Sequence, residues 1–343
     1  MSRRPTIKDL ARESGVSVAT VDRVLNNRHR VRENTAQRVL LAAERIGYHA
    51  AGLIRQRMRE SMPHYRFHFI LQKGEDYFYQ QLGKAMEQAT AGHADINGEA
   101  TVEFVADIVP GVLAERLHAA AETADAIAIV AVNHTQVSAA IDEISARGIP
   151  VFCLLSDVVA PGRAGFLGVD NRKRGRTAAW AISRLSRRPG QVGIMLGTHR
   201  YLGQEMSEIS FRSYLREYTP RFTVMESIID LDDSKLAYEA AMDMVTSNPD
   251  LVGIFSAGGG VEGLIQALRD ERTGENLIVV CNELTPTTRE ALLDGTIDMV
   301  TATPIERLSA KTIEAMIDAL GNPNRVGMTE VPLNADLYIS ESV

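Results

Sequence analysis

The sequence predicts a small all-α head with a helix-turn-helix, followed by an α/β body of two doubly wound, parallel-sheet lobes. Three observations predict it. Residues 6–47 carry apolar residues at helical spacing, interrupted by a Gly-containing turn. From residue 67 onward, short runs rich in β-branched residues alternate with longer amphipathic segments, the mark of strand–helix–strand repetition. Charge is segregated as well. Residues 1–60 hold 13 Lys/Arg against 6 Asp/Glu, a net of +7, whereas the remainder holds 24 against 38, a net of −14. A basic head calls for a polyanionic partner, and the acidic body would be repelled by the same polyanion.

A chain of 343 residues has room for two or three domains. With 45% hydrophobic and 24% charged residues it has the balance of a globular protein, which excludes disorder as its main state. The longest apolar run, 126–132, is far shorter than the ~18–20 residues of a membrane span. The first residues lack the apolar stretch of a secretory signal, so the protein is expected to stay in the cytoplasm. Cys153 and Cys281 lie inside apolar strand-like runs and are expected as reduced core thiols. The 8 His residues are scattered without ligand spacing. No metal site, no nucleophile elbow, no Walker motif and no cofactor are expected.

The head reads in order as follows. Thr6 is a suitable N-cap for a helix over Ile7–Ser14. Gly15 tolerates the positive φ of a tight turn, and Ala11 is small enough for two helices to cross closely. Ser17 offers an N-cap for a second helix over 18–25. Asn34 or Thr35 opens a third, with Val39, Ala42, Ala43 and Ile46 on one face, and Gly47 ends it. Ile7, Leu10, Val16, Val21 and Val24 are the apolar anchors. The second helix then lies in the major groove of DNA. With Val21, Val24 and Leu25 turned inward, Ser17, Val18, Ala19, Thr20, Asp22 and Arg23 face outward. Ser17, Thr20 and Asn26 suit phosphate oxygens. Arg23 can reach guanine O6 and N7 together, and Val18 and Ala19 can meet a thymine methyl. Thr6, Arg32, Thr35 and Arg57 complete the candidate DNA-binding set.

The run from Thr6 to Asn26 (Thr-Ile-Lys-Asp-Leu-Ala-Arg-Glu-Ser-Gly-Val-Ser-Val-Ala-Thr-Val-Asp-Arg-Val-Leu-Asn), with Val31-Arg-Glu-Asn-Thr35 and Ala43-Glu-Arg-Ile-Gly-Tyr48, resembles the N-terminal domain of the LacI/GalR family of bacterial repressors. Asp22 stands where that family usually has Ser. The resemblance implies a helix-turn-helix domain over 1–48 and a hinge over 49–63. In the family the hinge forms a short helix on DNA, pairs with its dimer mate and wedges a leucine into the minor groove. Here the usual proline after the Tyr is absent, and Arg57 falls about where the leucine would be. Met58, Ile54 or Leu53 is left as a substitute wedge, or Arg57 as a reader of a narrow groove.

In the body, strand-like runs fall at 67–71, 102–108, 126–132, 150–155, 165–169, 192–196, 223–229, 251–256, 277–281, 299–301 and 330–333. This part resembles the effector domain of the same family, built like ribose-type periplasmic sugar-binding proteins. The resemblance implies a ligand-binding and dimerisation domain over 64–343. One lobe would span about 66–163 and 302–324, the other about 165–300 and 326–343. Ligands of parallel α/β folds sit beyond the carboxyl ends of strands. The candidates there are Asp76, Phe78, Tyr79, Asn133, Ser156, His199, Glu205, Gly258, Asn282 and Glu283. Asp170-Asn171 fits the family too, but serves equally as a cap for the helix that follows. Three departures exclude ribose by inheritance. Leu155-Ser156 replaces an Asp-Arg pair, the arginine expected before Phe211 is missing, and Ala302 replaces a glutamine before Pro304. Glu283 and Glu205 favour a polyhydroxylated or amino-bearing ligand over an anion.

A rival reading exists. Gly258-Gly-Gly260-Val-Glu-Gly263 matches the dinucleotide fingerprint, follows a strand-like run, and precedes Glu283 by twenty residues. It would make the chain an NAD-dependent oxidoreductase. Against it, such a fingerprint usually opens its domain, whereas this one follows eight strand-like runs. The expectation is therefore a regulator and not an enzyme: a homodimeric repressor on a palindromic double-stranded operator, controlled by a sugar-like or polyol effector. Whether that ligand induces or co-represses is left open.

Overall fold

The computed structural model describes residues 4–26, 31, 33–60, 62–106, 108–271, 277–322 and 327–343. The chain divides into two compact units, Met1–Tyr65 with His93–Gly98, and Arg66–Gly92 with Glu99–Val343.

The first unit holds α1 (Ile7–Ser14), α2 (Val18–Asn26), α3 (Glu33–Arg45) and α4 (Ala51–Glu60). Thr6 caps α1 reciprocally with Asp9, and Gly15 ends it at φ 66°. That positive φ lets the Gly15 N–H reach the carbonyls of Ala11 and Arg12. The Ser17 hydroxyl accepts from Thr20 N at 3.1 Å, so the expected second cap is formed. α3 begins one residue before Asn34, which places Asn34 and Thr35 in its first turn and not at the cap. Leu10, Val21, Val24, Val39, Ala42, Ala43 and Tyr48 make one core. Ile54 joins it fully buried. The segment read as a separate hinge is thus a helix of the head unit, anchored by an isoleucine whose burial contributes about 1.5–3 kcal/mol.

The second unit contains two sheets of one topology. The first is built from β1 (His64–Gln72), β2 (Asn97–Val105), β3 (Ala126–Ile129), β4 (Val151–Leu154), β5 (Gly165–Val169) and β12 (Thr329–Leu333). Its order is β2-β1-β3-β4-β5-β12. The second is built from β6 (Gln191–Leu196), β7 (Thr223–Val224), β8 (Ile228–Ile229), β9 (Leu251–Ser256), β10 (Ile278–Asn282), β11 (Met299–Ala302) and β13 (Asp336–Tyr338). It runs β7-β6-β9-β10-β11-β13, with β8 also on β6. β13 is antiparallel to β11.

Helices cover both faces of each sheet. In the first lobe α6 (Pro110–Ala120) and α7 (Thr135–Ala146) share one core with β3 and β4. α5 (Tyr77–Gly92) packs against α13 (Ile305–Gly321). In the second lobe α8 (Asn171–Leu185) and α9 (Leu202–Tyr218) lie on one face. α10 (Ser234–Ser247), α11 (Val261–Asp270) and α12 (Pro286–Leu293) lie on the other. A Cβ on Gly175 would stand 2.0 Å from Ser207 O, so α8 and α9 can cross this closely only with glycine there.

Three expectations need correction. The strand 165–169 and the strand after residue 328 belong to the first sheet, so the chain crosses to the second lobe after Val169 and not near 164. The run 223–229 is broken into two short strands. And the tail after Leu333 contributes an unforeseen strand, β13, to the second lobe. Among the described residues no helix is long and apolar enough to cross a membrane. Cys153 and Cys281 are free and buried, and burial pushes the Cys153 thiol up to about 12, which leaves it inert.

Candidate functional site

On the head, helical periodicity sorts α2 into two faces. Val21 and Val24 are buried, while Ser17, Val18, Ala19, Arg23 and Asn26 are exposed. Arg23 has no carboxylate partner among the described residues. The face holds its own polar side chains in place. Ser17 and Thr20 hydroxyls lie 2.9 Å apart. The Asn26 amide donates to Asp22 Oδ1 at 2.8 Å. Asp22 therefore orients Asn26, whose amide keeps a second N–H for a phosphate. The Thr6 hydroxyl donates to Asp9 Oδ2 at 2.7 Å and so is part of the cap of α1. Thr35 is half-buried in α3. Arg32 and the side chain of Arg57 lie outside the described residues.

In the body, a cavity opens where the strand order reverses in both sheets, beside β1 and β3 in one lobe and β6 and β9 in the other. That is where doubly wound sheets bind ligands, because adjacent connections leave the sheet on opposite sides. Seven expected residues line it: Asp76, Phe78, Tyr79, Ser156, Gly258, Asn282 and Glu283. Three do not. Asn133 is used in the fold, its Oδ1 accepting from Val159 N at 2.9 Å. His199 is turned to the surface and pairs with Glu208 at 3.0 Å. Glu205 stands in α9 away from the lining.

The cavity also takes residues the sequence did not announce: Gln72, Lys73, Arg174, Tyr201, Gln204 and Asp232. Arg174 is buried, and its guanidinium donates to Glu283 Oε1 and Thr303 Oγ1, both at 3.2 Å. Glu283 is further held by the Thr303 amide and hydroxyl, each at 2.7 Å. Burial lowers the pKa of the guanidinium, and the Glu283 carboxylate opposes that shift. Lys73 reaches across the cleft, donating to the carbonyl of Asp232 at 2.6 Å. The Tyr201 hydroxyl donates to Gln72. Burial pushes the phenols of Tyr79 and Tyr201 well up, so both remain neutral hydrogen-bonding hydroxyls. Asp76 Oδ1 accepts from Phe78 N at 2.8 Å and caps α5. Asp170 likewise caps α8, while Asn171 lines the cavity.

The glycine-rich turn has a structural occupant. The Gly259 N–H donates to the Asp232 carboxylate, the place a pyrophosphate would need. A Cβ on Gly258 would lie 2.5 Å from Gly197 N, and one on Gly263 would lie 1.8 Å from Ser234 O. These glycines let two strand-end loops and two helices approach closely.

Residues 6–50 match the bacterial regulatory proteins of the lacI family, and residues 67–323 match the periplasmic binding protein domain family. The chain belongs to the periplasmic binding protein domain family, and it carries a lacI-family regulatory domain at residues 6–50. An uncharacterized HTH-type transcriptional regulator in the aml 5' region of Streptomyces limosus is 27% identical over 224 residues, 63% of this chain and 60% of that protein. The HTH-type transcriptional regulator RegA of Clostridium saccharobutylicum is 56% identical over 43 residues, 12% of this chain and 13% of that protein. The chain thus spans less than two thirds of these curated relatives. The body has the fold of an ABC transporter solute binding protein from Agrobacterium vitis bound with alpha-D-tagatopyranose. That likeness has a TM-score of 0.73 at 20% identity, covering 81% of this chain and 95% of that one.

Within the periplasmic-binding-protein frame the cleft departs from the ribose-type pattern. No arginine precedes Phe211; instead Ser207 bonds Asn171 O at 3.2 Å, and the cavity's guanidinium comes from Arg174 of α8. Ala302 is buried and Thr303 lines the cavity in its stead. The two carboxylates expected to repel an anion drop out of that argument, since Glu283 is spent on Arg174 and Glu205 is elsewhere.

Proposed function

We propose that this chain is a repressor that binds a palindromic operator as a homodimer through α2, under control of a neutral sugar or polyol held in the cleft. The cavity carries the ligand assignment. Its lining offers amides and hydroxyls from Gln72, Asn171, Ser156, Tyr79 and Gln204, with Phe78 as an apolar face. Both cations of the lining are already engaged, Arg174 by Glu283 and Lys73 by backbone carbonyls. Four carboxylates of the lining, Asp76, Asp232, Glu262 and Glu283, outnumber those two cations, which disfavours a phosphate.

The lobes already touch across the cleft through Lys73 and Asp232. A ligand that bonds both sides changes the free energy of that closure. Coupling to the operator is expected at about 1–3 kcal/mol, a factor of about 5–150 in DNA affinity. A thermal-shift screen of sugars, polyols and nucleosides tests the cleft, since a ligand selective for the native state must raise the melting temperature. At least one neutral polyhydroxylated compound is expected to do so. Selection of genomic fragments on the same protein tests the head. Stabilisation by sugar phosphates alone, or no preferred fragment with or without ligand, overturns the proposal.

A further inference from the structure

Residues 171–204 hold eight Lys/Arg and no Asp/Glu, inside a body whose net charge is −14. The cleft uses one of them, Arg174. The rest belong mostly to α8, whose inner side, Gly175, Ala178, Ala179, Ala181 and Ile182, is buried on the second sheet and α9. The outer side places Arg176, Trp180 and Arg184 four residues apart on one stripe. Trp180 is the chain's one tryptophan, and it is 48% exposed. Leu185, five residues on at the end of α8, is 51% exposed. α9 packs alongside and adds Tyr214 and Tyr218, whose rings lie 4.9 Å apart. The Arg176 guanidinium stands 5.3 and 5.5 Å from their centroids. Glu217 pairs with Arg176 and Asp250 with Arg188. Exposed Arg172, Arg184, Arg187 and Arg216 have no carboxylate partner among the described residues.

We propose that this face of α8 and α9 is a docking surface for an acidic segment of a partner protein, one that carries Asp or Glu around apolar side chains. Charge complementarity is the first ground: four guanidinium groups without a carboxylate partner among the described residues lie on α8, α9 or the turn after α8, the same elements that carry Trp180, Tyr214 and Tyr218, in an otherwise acidic body. Residue type is the second, because Trp, Tyr and Arg dominate the centres of protein interfaces. The Arg176–Tyr stack is already ordered, so little side-chain freedom is lost on docking. A nucleic acid fits less well. Duplex DNA presents a charge about every 1.7 Å and runs beyond any small patch. The other helix layer of the same lobe belongs to a stretch, 226–298, with fifteen Asp/Glu against four Lys/Arg. A short acidic segment ends where the cations end.

The lone tryptophan supplies the test, using the full chain. A short synthetic helix-forming peptide of Glu and Leu is titrated while Trp180 emission is followed, with a Lys/Leu peptide as control. The Glu/Leu peptide is expected to shift the emission saturably. The apparent affinity should fall about tenfold or more between about 0.05 and 0.5 M salt, and similarly in Arg184→Glu/Arg187→Glu. That variant should keep the thermal transition of the parent. Trp180→Phe, followed by anisotropy of labelled peptide, should also bind more weakly. The proposal is overturned if the Glu/Leu peptide gives no saturable shift, or if the Lys/Leu peptide gives the same one. It is overturned equally if a DNA duplex shifts Trp180 emission with the steep salt slope of phosphate contacts. A shift that instead tracks protein concentration, with a heavier species in sedimentation, would assign the face to a second copy of this chain.

Discussion

Replacing Arg174 by Met tests the electrostatics of the cleft most directly. The substitution keeps the aliphatic stem that packs on the second sheet and removes the charge. Glu283 is then left with the Thr303 amide and hydroxyl but no counter-charge, with its side chain only 20% exposed. Breaking a buried pair by deleting one partner costs about 3–5 kcal/mol, because the remaining charge keeps its desolvation penalty. Glu283 retains some contact with water and two donors, so the lower half of that range, about 3 kcal/mol, is expected. At about 2–4 °C per kcal/mol the melting temperature should drop by roughly 6–12 °C. Arg174→Met/Glu283→Gln should recover most of the loss, since the amide can still accept from Thr303 and leaves no buried charge. Urea unfolding of the wild type, both single variants and the double variant gives the coupling energy directly. If the double variant is as unstable as the sum of the singles, the pair is not coupled and the neutral-cleft reasoning fails.

Other outcomes follow from the same geometry. Arg23→Ala should relax operator preference by about 1–3 kcal/mol at one position, leaving the salt dependence of nonspecific binding nearly intact; unchanged specificity in a competition assay would displace α2 from the groove. Ile54→Ala should destabilise the head unit by about 2–5 kcal/mol, read from loss of head amide protection in hydrogen exchange, because Ile54 fastens α4 to the head core; full protection would mean α4 is not held there. Asp230 is buried with Oδ2 unpartnered, and burial pushes its carboxyl up to about 7. A raised carboxyl pKa means the folded state holds the proton longer, so its stability contribution is full below about pH 4 and is lost as pH rises through about 7. Asp230→Asn should therefore remove a penalty of up to about 4 kcal/mol at pH 8 and change little at pH 4; an equal effect at both pH values would refute the burial argument.

The head was legible because one rule, helical periodicity, sets both the core and the outward face of α2. Cap and turn chemistry at Thr6, Gly15 and Ser17 then fixed where its helices start and stop. The cleft was legible in part. Asking what lies at strand ends found Ser156, Asn282 and Glu283, and the Asp-Tyr-Phe-Tyr segment found Asp76, Phe78 and Tyr79. The rule says nothing about which way a loop turns, so it also selects His199 and Asn133, although one faces solvent and the other braces Val159. It also passes over helices. Arg174 was hidden among Arg172, Lys173 and Arg176, yet a signal was present: it lies four residues before Ala178 and eight before Ile182, on the one side of α8 that carries no other charge. A lone arginine on a buried stripe has to find a carboxylate. Asp232 had no comparable signal, because its place depends on Gly197 and Gly258 leaving room for its carboxylate.

Backbone strain points to the same place by an independent route. Among the described residues, five that are not glycine have positive φ: Lys73, Leu155, Leu231, Asp232 and Glu283. Lys73, Leu155 and Glu283 each follow directly on a strand, β1, β4 and β10, and Leu231 and Asp232 follow closely on β8. Four of the five line the cavity, and the fifth offers its carbonyl to Lys73. Each such conformation costs on the order of 1–3 kcal/mol, so together they approach the whole net stability of an ordinary domain. Such strain persists only where the surrounding structure fixes it, and for three of the five a fixing bond crosses the cleft: strained Lys73 of one lobe holds the carbonyls of strained Leu231 and Asp232 of the other. Opening the lobes would break these bonds and free those three residues to relax; a ligand that bridges the lobes would oppose both. The cleft can therefore act as a two-position element whose balance a small molecule can tip, which a regulator needs and a passive container does not. Lys73→Met removes the bridge without touching the sheet, and should lower the ligand's effect on operator affinity more than it lowers ligand affinity itself. Equal losses in calorimetry and in operator titration would show that Lys73 only holds ligand.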